Sequence, residues 1–137
     1  MSLVLDSSAT LAWLFDDERT EAVRKLLDRV TDRGALVPDL WRYEVANGLQ
    51  MAVRRKRINQ AYRDRALSNL ADLAIRTDAD SGLRVWSHTV QLASVHHLTV
   101  YDAAYLELPQ RRALPLATLD AALAQAGRAV GLQLLPL

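Results

Sequence analysis

The 137 residues contain no cysteine, which excludes disulfides, thiolate metal sites and cysteine nucleophiles. Lysine is nearly absent as well: of 17 basic residues, only Lys25 and Lys56 are lysines. Arginine suits bidentate phosphate contacts, but a chain rich in Arg, Ala and Leu also tracks a GC-rich genome, so the bias alone names no partner. No window approaches the ~20 apolar residues of a membrane span. The N-terminal apolar run, Leu3 to Leu5, meets Asp6 after three residues and is too short for a signal peptide. A soluble, cytoplasmic protein is expected. Internal repeats, linkers and low-complexity segments are also lacking, so one domain over residues 1–137 is the natural expectation. What the chain does have is a 50% apolar composition, enough for a real core at this size, and a net charge of +1 that says little by its sign.

Short apolar runs alternate with helical patterns. Leu3-Val4-Leu5 reads as a buried strand, and Ser7 or Ser8 offers a helix N-cap before Ala9 to Phe15. Asp16-Asp17-Glu18 marks a turn and the acidic start of a second helix, whose Val23, Leu26, Leu27 and Val30 recur at helical spacing until Gly34 stops it. Ala35-Leu36-Val37 is a second strand before Pro38, and a third helix runs roughly Trp41 to Lys56. Asn59 caps a fourth, Ile75-Arg76-Thr77 is a brief edge strand, and a fifth helix begins near Val85 and fades at His96-His97-Leu98. Thr99 caps the next helix, which Pro109 should kink or end near Leu106. Leu114 to Thr118 is another strand, a last helix covers Ala121 to Val130, and Leu132 to Leu135 closes the sheet. The alternation predicts an α/β fold: a short, mainly parallel sheet of about four to five strands flanked by about seven helices.

Four acids fall at related places in that pattern. Asp6 and Asp120 each follow an apolar strand and precede a helix, and the carboxyl ends of parallel strands share one sheet edge. Glu44 and Asp102 each lie near the start of a helix, where the dipole favours an anion. Singly, each has a plain explanation as a cap, turn or dipole-complementing acid. Together they predict a cluster of like charges, and two unit charges ~5 Å apart at an effective dielectric of 20 repel by roughly 3 kcal/mol. A hard divalent ion, Mg²⁺ or Mn²⁺, relieves that repulsion, activates water and clamps phosphate oxygens. The matching chemistry is phosphodiester hydrolysis.

The chain resembles the PIN-domain family, and in particular the VapC-type toxins of toxin–antitoxin pairs. The resemblance rests on Val4-Leu5-Asp6-Ser7-Ser8, on Pro38 to Asn47, on Tyr101-Asp102-Ala103-Ala104-Tyr105 and on Leu116-Ala117-Thr118-Leu119-Asp120, in that order and spacing. It implies a Mg²⁺- or Mn²⁺-dependent endoribonuclease in which Asp6, Glu44, Asp102 and Asp120 are catalytic and Asp6, Asp102 and Asp120 hold metal. It implies Ser8 and Thr118 as hydroxyls flanking the first and last acids, and Asn47 as a support one turn beyond Glu44. It further implies an RNA substrate, a homodimer and a cognate VapB-type antitoxin. No second acid follows Asp120 closely, so one metal is expected more than two.

Other residues invite weaker readings. Arg54, Arg55 and Arg57 end the helix that carries Glu44, and Arg55 shares a helix face with Glu44 roughly 16 Å away, so the run is a candidate RNA contact or a solvated helix end. His96-His97 points in two directions, with no third His nearby, and is a poor metal site. Trp13, Trp41 and Trp86 lie in apolar patterns and are expected in the core or a dimer interface. Two alternatives stay open. Asp6 as a phosphoryl-accepting nucleophile wants an acid two residues on, where Ser8 stands. A non-catalytic PIN-like RNA-binding or regulatory module would keep the acids without turnover.

Overall fold

The computed structural model describes residues 3–137. The apolar run at its start is fully buried, because its strand is the inner member of the sheet. β1 (Val4–Leu5) lies between β2 (Ala35–Val37) and β4 (Leu116–Ala117), with β3 (Ile75–Thr77) outside β2. Every pairing is parallel: Val4 stands opposite both Leu36 and Leu116, Leu5 opposite Ala117, and Leu36 opposite Arg76. The expected closing strand shrinks to a single parallel bridge, Leu134 to Leu116. The spatial order 3-2-1-4 reverses direction between β1 and β4, which makes the carboxyl ends of those two strands the switch point where open α/β sheets bind ligands.

Seven α-helices occur among the described residues: α1 (Ser7–Leu14), α2 (Glu21–Arg33), α3 (Leu40–Arg54), α4 (Gln60–Ala71), α5 (Val90–His96), α6 (Val100–Arg112) and α7 (Ala121–Ala129). Helices α1 to α4 pack as one group and α5 to α7 as another, as right-handed crossovers leaving β1 in opposite directions require. Caps set most of the boundaries. Thr20, Asn59 and Thr99 accept from Val23, Tyr62 and Asp102 N–H to start α2, α4 and α6. Residues Asp16–Glu18 form a separate short 3₁₀ turn rather than the start of α2. Gly34 ends α2 at φ 75°, and an added Cβ there would lie 2.5 Å from the Ala74 carbonyl oxygen. Among the described residues no helix is long and apolar enough to cross a membrane.

Three expectations are corrected. The cap of α1 is Asp6 itself, not Ser7 or Ser8: its side chain accepts from Ala9 N–H. Pro109 does not stop α6, which continues to Arg112. The missing donor costs one bond near the helix end, while residues Ala103–Pro109 are all buried and Arg111 is clamped from two sides, Nε to Glu107 Oε1 and Nη2 to Asp78 Oδ2, each at 2.6 Å. Packing thus overrides the local preference. The segment before α5 is a 3₁₀ turn (Ser81–Arg84) followed by a π turn (Val85–Thr89). The change of period throws Trp86 outward to 95% exposure, whereas Trp13 and Trp41 are in the core.

Candidate active site

Asp6 leaves β1 buried, only 3% exposed, and its carboxylate accepts from three neighbours. Oδ1 accepts from Ala9 N–H at 2.9 Å and from Ser8 Oγ at 2.8 Å, and Oδ2 accepts from the Thr118 hydroxyl. Thr118 follows β4, so this bond staples the carboxyl ends of β1 and β4 together. Ser8 closes the staple from the other side, its Oγ accepting from Leu119 N–H at 3.0 Å. Thr118 Oγ1 in turn accepts from Asp120 N–H at 3.0 Å. Asp120 is the N-cap of α7, with Oδ1 accepting from Leu123 N–H at 2.9 Å. For Asp6 and Asp120, therefore, capping and clustering coexist: the cap fixes where each carboxylate stands.

The other two acids come from helix starts on either side of this crevice. Glu44 is half-buried, and its Oε1 accepts from Tyr105 Oη at 2.6 Å; Ser7 donates a second bond. Asp102 is half-buried on α6, one turn before Tyr105. Two close packings bring α3 to this position. Trp41 Nε1 donates to Thr10 Oγ1 at 3.0 Å, and Thr10 Oγ1 donates to the Asp6 carbonyl at 2.8 Å. One turn past Glu44, Gly48 lets α3 press on α1: an added Cβ would lie 2.6 Å from Leu11 Cδ1.

The electrostatics join the four acids in series. Burial pushes the Asp6 carboxyl up to about 6, against the pull of Thr118, Ala9 and Ser8, and the charge of Asp120 adds to the rise. Burial also raises Asp102, again with Asp120 adding to it, and raises Glu44, with Asp102 as its like-charged neighbour. Burial and the bond to Glu44 hold the Tyr105 phenol far above its usual range, so it stays a donor. No Lys or Arg is ion-paired to any of the four among the described residues.

Several residues behave differently from their sequence patterns. Asn47 is exposed and makes no side-chain bond to Glu44; Ser7 and Tyr105 occupy that supporting role. Tyr105 was legible in principle, three residues after Asp102 and therefore on the same helix face. Arg57 is turned away from the site onto Asp17 and Glu18, at 2.6 Å each, and stacks on Phe15 with 4.0 Å to the ring centroid. The Asp78–Ser81–Glu107–Arg111 network had no sequence signal beyond scattered charges.

A parallel α/β sheet with hydroxyl-stapled acids at its switch point defines a class of acid-edged crevice domains. The comparisons agree on which one: the model of the PIN domain family matches residues 3–129, and the chain belongs to that family. It is 34% identical over 125 residues to ribonuclease VapC3 of Pyrobaculum aerophilum, covering 91% of this chain and 94% of that one. It is 30% identical over 129 residues to ribonuclease VapC9 of Mycobacterium tuberculosis, covering 93% and 92%. The crystal structure of PAE2754 from Pyrobaculum aerophilum superposes with a TM-score of 0.69 over 92% of this chain and 79% of that one, at 23% identity, a likeness of fold.

Proposed function

We propose that the protein is a divalent-metal-dependent endoribonuclease, the toxin of a VapBC-type toxin–antitoxin pair. The observation that carries this reading is the series of four carboxylates at the β1–β4 switch point with no cation among them. The family membership and the ribonuclease names of the relatives support it.

The donor set fits Mg²⁺ or Mn²⁺, since it offers only hard oxygens. No three His, Cys, Asp or Glu side chains among the described residues stand close enough to cage an ion unaided. That suits Mg²⁺, which keeps several waters and uses one or two carboxylates beside substrate phosphates. One or two of Asp6, Asp102 and Asp120 would ligate the ion directly, and the remainder through its waters. When bound, it would activate water and neutralise charge on the scissile phosphate. Ser8 and Thr118 keep Asp6 in one rotamer, and the cap bond of Asp120 leaves its Oδ2 for ligation. Glu44, whose carboxyl burial raises above its ordinary value, is placed to take a proton from the attacking water, with Tyr105 and Ser7 fixing its carboxylate. We further place the protein in the cytoplasm as a homodimer, silenced by a VapB-type antitoxin.

The test is cleavage of unstructured RNA by the purified protein. Mg²⁺ or Mn²⁺ should be required, EDTA should stop the reaction, and Asp6→Asn should reduce it below detection with an unchanged circular dichroism spectrum. Cleavage that survives both EDTA and Asp6→Asn overturns the proposal.

A further inference from the structure

The outer face of α3 is unlike the rest of the helix. At 100° per residue, Trp41, Val45, Leu49 and Ala52 form its buried side. Tyr43, Asn47, Gln50 and Arg54 fall on the opposite side within about 60° of arc. Tyr43 is 82% exposed, and Asn47 and Arg54 are exposed. Glu44 stands on the flank between the two sides, next in sequence to Tyr43 and bonded toward α6. Arg55 returns to that same flank eleven residues on.

The chemistry of the stripe runs in order: an aromatic ring beside the acid edge, an amide one turn on, and a guanidinium about 16 Å away. Gln50 Oε1 accepts from Arg63 Nη1 at 2.7 Å, but Arg63 is itself ion-paired to Asp64 at 2.9 Å and adds no free charge. Glu44 is the only carboxylate on α3, and neither Arg54 nor Arg55 has an ion-pair partner among the described residues. Free cations, a stacking ring and a sequence-tolerant amide are what an unpaired RNA strand uses, since its bases can splay onto aromatic faces while its phosphates track positive charge.

We propose that single-stranded RNA leaves the acid edge along the outer face of α3, with a base stacked on Tyr43, the next base edge met by Asn47, and a phosphate held by Arg54. This rests on the nuclease reading above and names the substrate subsite for it. Arg57, committed to Asp17, Glu18 and Phe15, takes no part.

The experiment is fluorescence anisotropy of a short, fluorescein-labelled, unstructured RNA of mixed sequence, with Ca²⁺ present, at several salt concentrations. It is run on the wild type, Tyr43→Ala, Tyr43→Phe and Arg54→Ala, with sedimentation of each. Tyr43→Ala should weaken binding about tenfold, as loss of one stacked base does, and Tyr43→Phe should bind as the wild type. Arg54→Ala should lower the slope of log affinity against log salt by about 0.7. Unchanged affinity and salt slope in both alanine variants would overturn the path, while metal-dependent cleavage by the wild type left the nuclease reading standing. Loss of a dimer in Tyr43→Ala at unchanged RNA affinity would also overturn it and assign the face to a protein partner. Failure of the wild type to bind or cleave RNA would remove both.

Discussion

Helix α6 touches two clusters of acids, and they are opposites. Near its start, Asp102 stands in series with Asp120, Asp6 and Glu44, with hydroxyls and backbone N–H groups as the donors to them among the described residues. Near its end, Glu107 and Asp78, both almost fully buried, share Arg111, and Ser81 donates to Asp78 at 2.8 Å. In the first cluster, burial raises the carboxyls of Asp6, Glu44 and Asp102. In the second, burial pushes Asp78 up as well, but the bonds from Arg111 and Ser81 win and its carboxyl ends below the ordinary range. The difference lies in the cation. A carboxylate cluster completed by its own arginine is a structural clamp, whereas the acid edge has no ion-paired cation among the described residues, which is the ground of the metal-ion proposal.

Removing the internal cation should give the largest effect. Arg111→Ala leaves two buried carboxylates facing each other, a loss of about 3–5 kcal/mol by the precedent of broken buried pairs. The loss should be greatest at neutral pH and shrink below about pH 4, where the carboxylates protonate. Urea unfolding at the two pH values checks this. An equal loss at both would mean that Arg111 acts through packing alone. Because the clamp holds the end of α6 through Pro109, the variant also tests whether Asp102 and Tyr105 keep their positions.

The acid edge should show the reverse sign. Asp6 has a folded pKa of about 6 against 3.8 unfolded, so its charged form is disfavoured by the fold. Metal-free stability is therefore lost as pH rises from about 4 to 6, by about 3 kcal/mol. Asp78 has the opposite shift, and its contribution is lost only as pH falls below its ordinary range. Thermal unfolding in EDTA should peak at mildly acidic pH. Asp6→Asn should flatten the fall toward neutral pH and raise Tm there, since the amide can still accept from Ala9 N–H while the hydroxyls of Ser8 and Thr118 rotate to accept its N–H groups. Mg²⁺ should raise the wild-type Tm at pH 7 and leave the Asp6→Asn variant nearly unmoved. A wild-type Tm indifferent to both pH and Mg²⁺ would break the contrast between the clusters.

The contrast also explains what could be read from the chain. The strands were recoverable because Leu3-Val4-Leu5 and Ala35-Leu36-Val37 are apolar runs ended by Asp6 and Pro38, and Leu114 to Thr118 is an apolar run entered through Pro115. The four acids followed from their place after strands and at helix starts. Their supports were harder. Asp6 caps its own helix, which the two serines behind it disguised. The family resemblance implied Asn47 as a support of Glu44, but Glu44 accepts from Tyr105 on α6, a contact across 61 residues that no local pattern encodes. The Arg111 clamp joins residues 33 apart, and it is also why the proline rule failed at Pro109. Trp86 faces outward rather than into the core because its segment passes from a 3₁₀ to a π turn, and a helical wheel assumes one period.

A smaller perturbation separates position from charge. Gly48→Ala keeps every acid and every cation but puts a methyl against the Leu11 side chain, which must give way. Overpacking of this kind costs about 1–3 kcal/mol. Its consequence should fall on one cluster only: α3 moves off α1, so Glu44 loosens from Ser7 and Tyr105, while Arg111, Glu107 and Asp78 keep their distances. Cleavage of unstructured RNA should then drop by more than the modest fall in Tm would explain, with kcat reduced and KM little changed, if Glu44 serves the chemical step as proposed. If Leu11 instead rotates aside and both Tm and kcat stay at wild-type values, the glycine is dispensable, and the placement of Glu44 must rest on its bonds to Tyr105 and Ser7 alone.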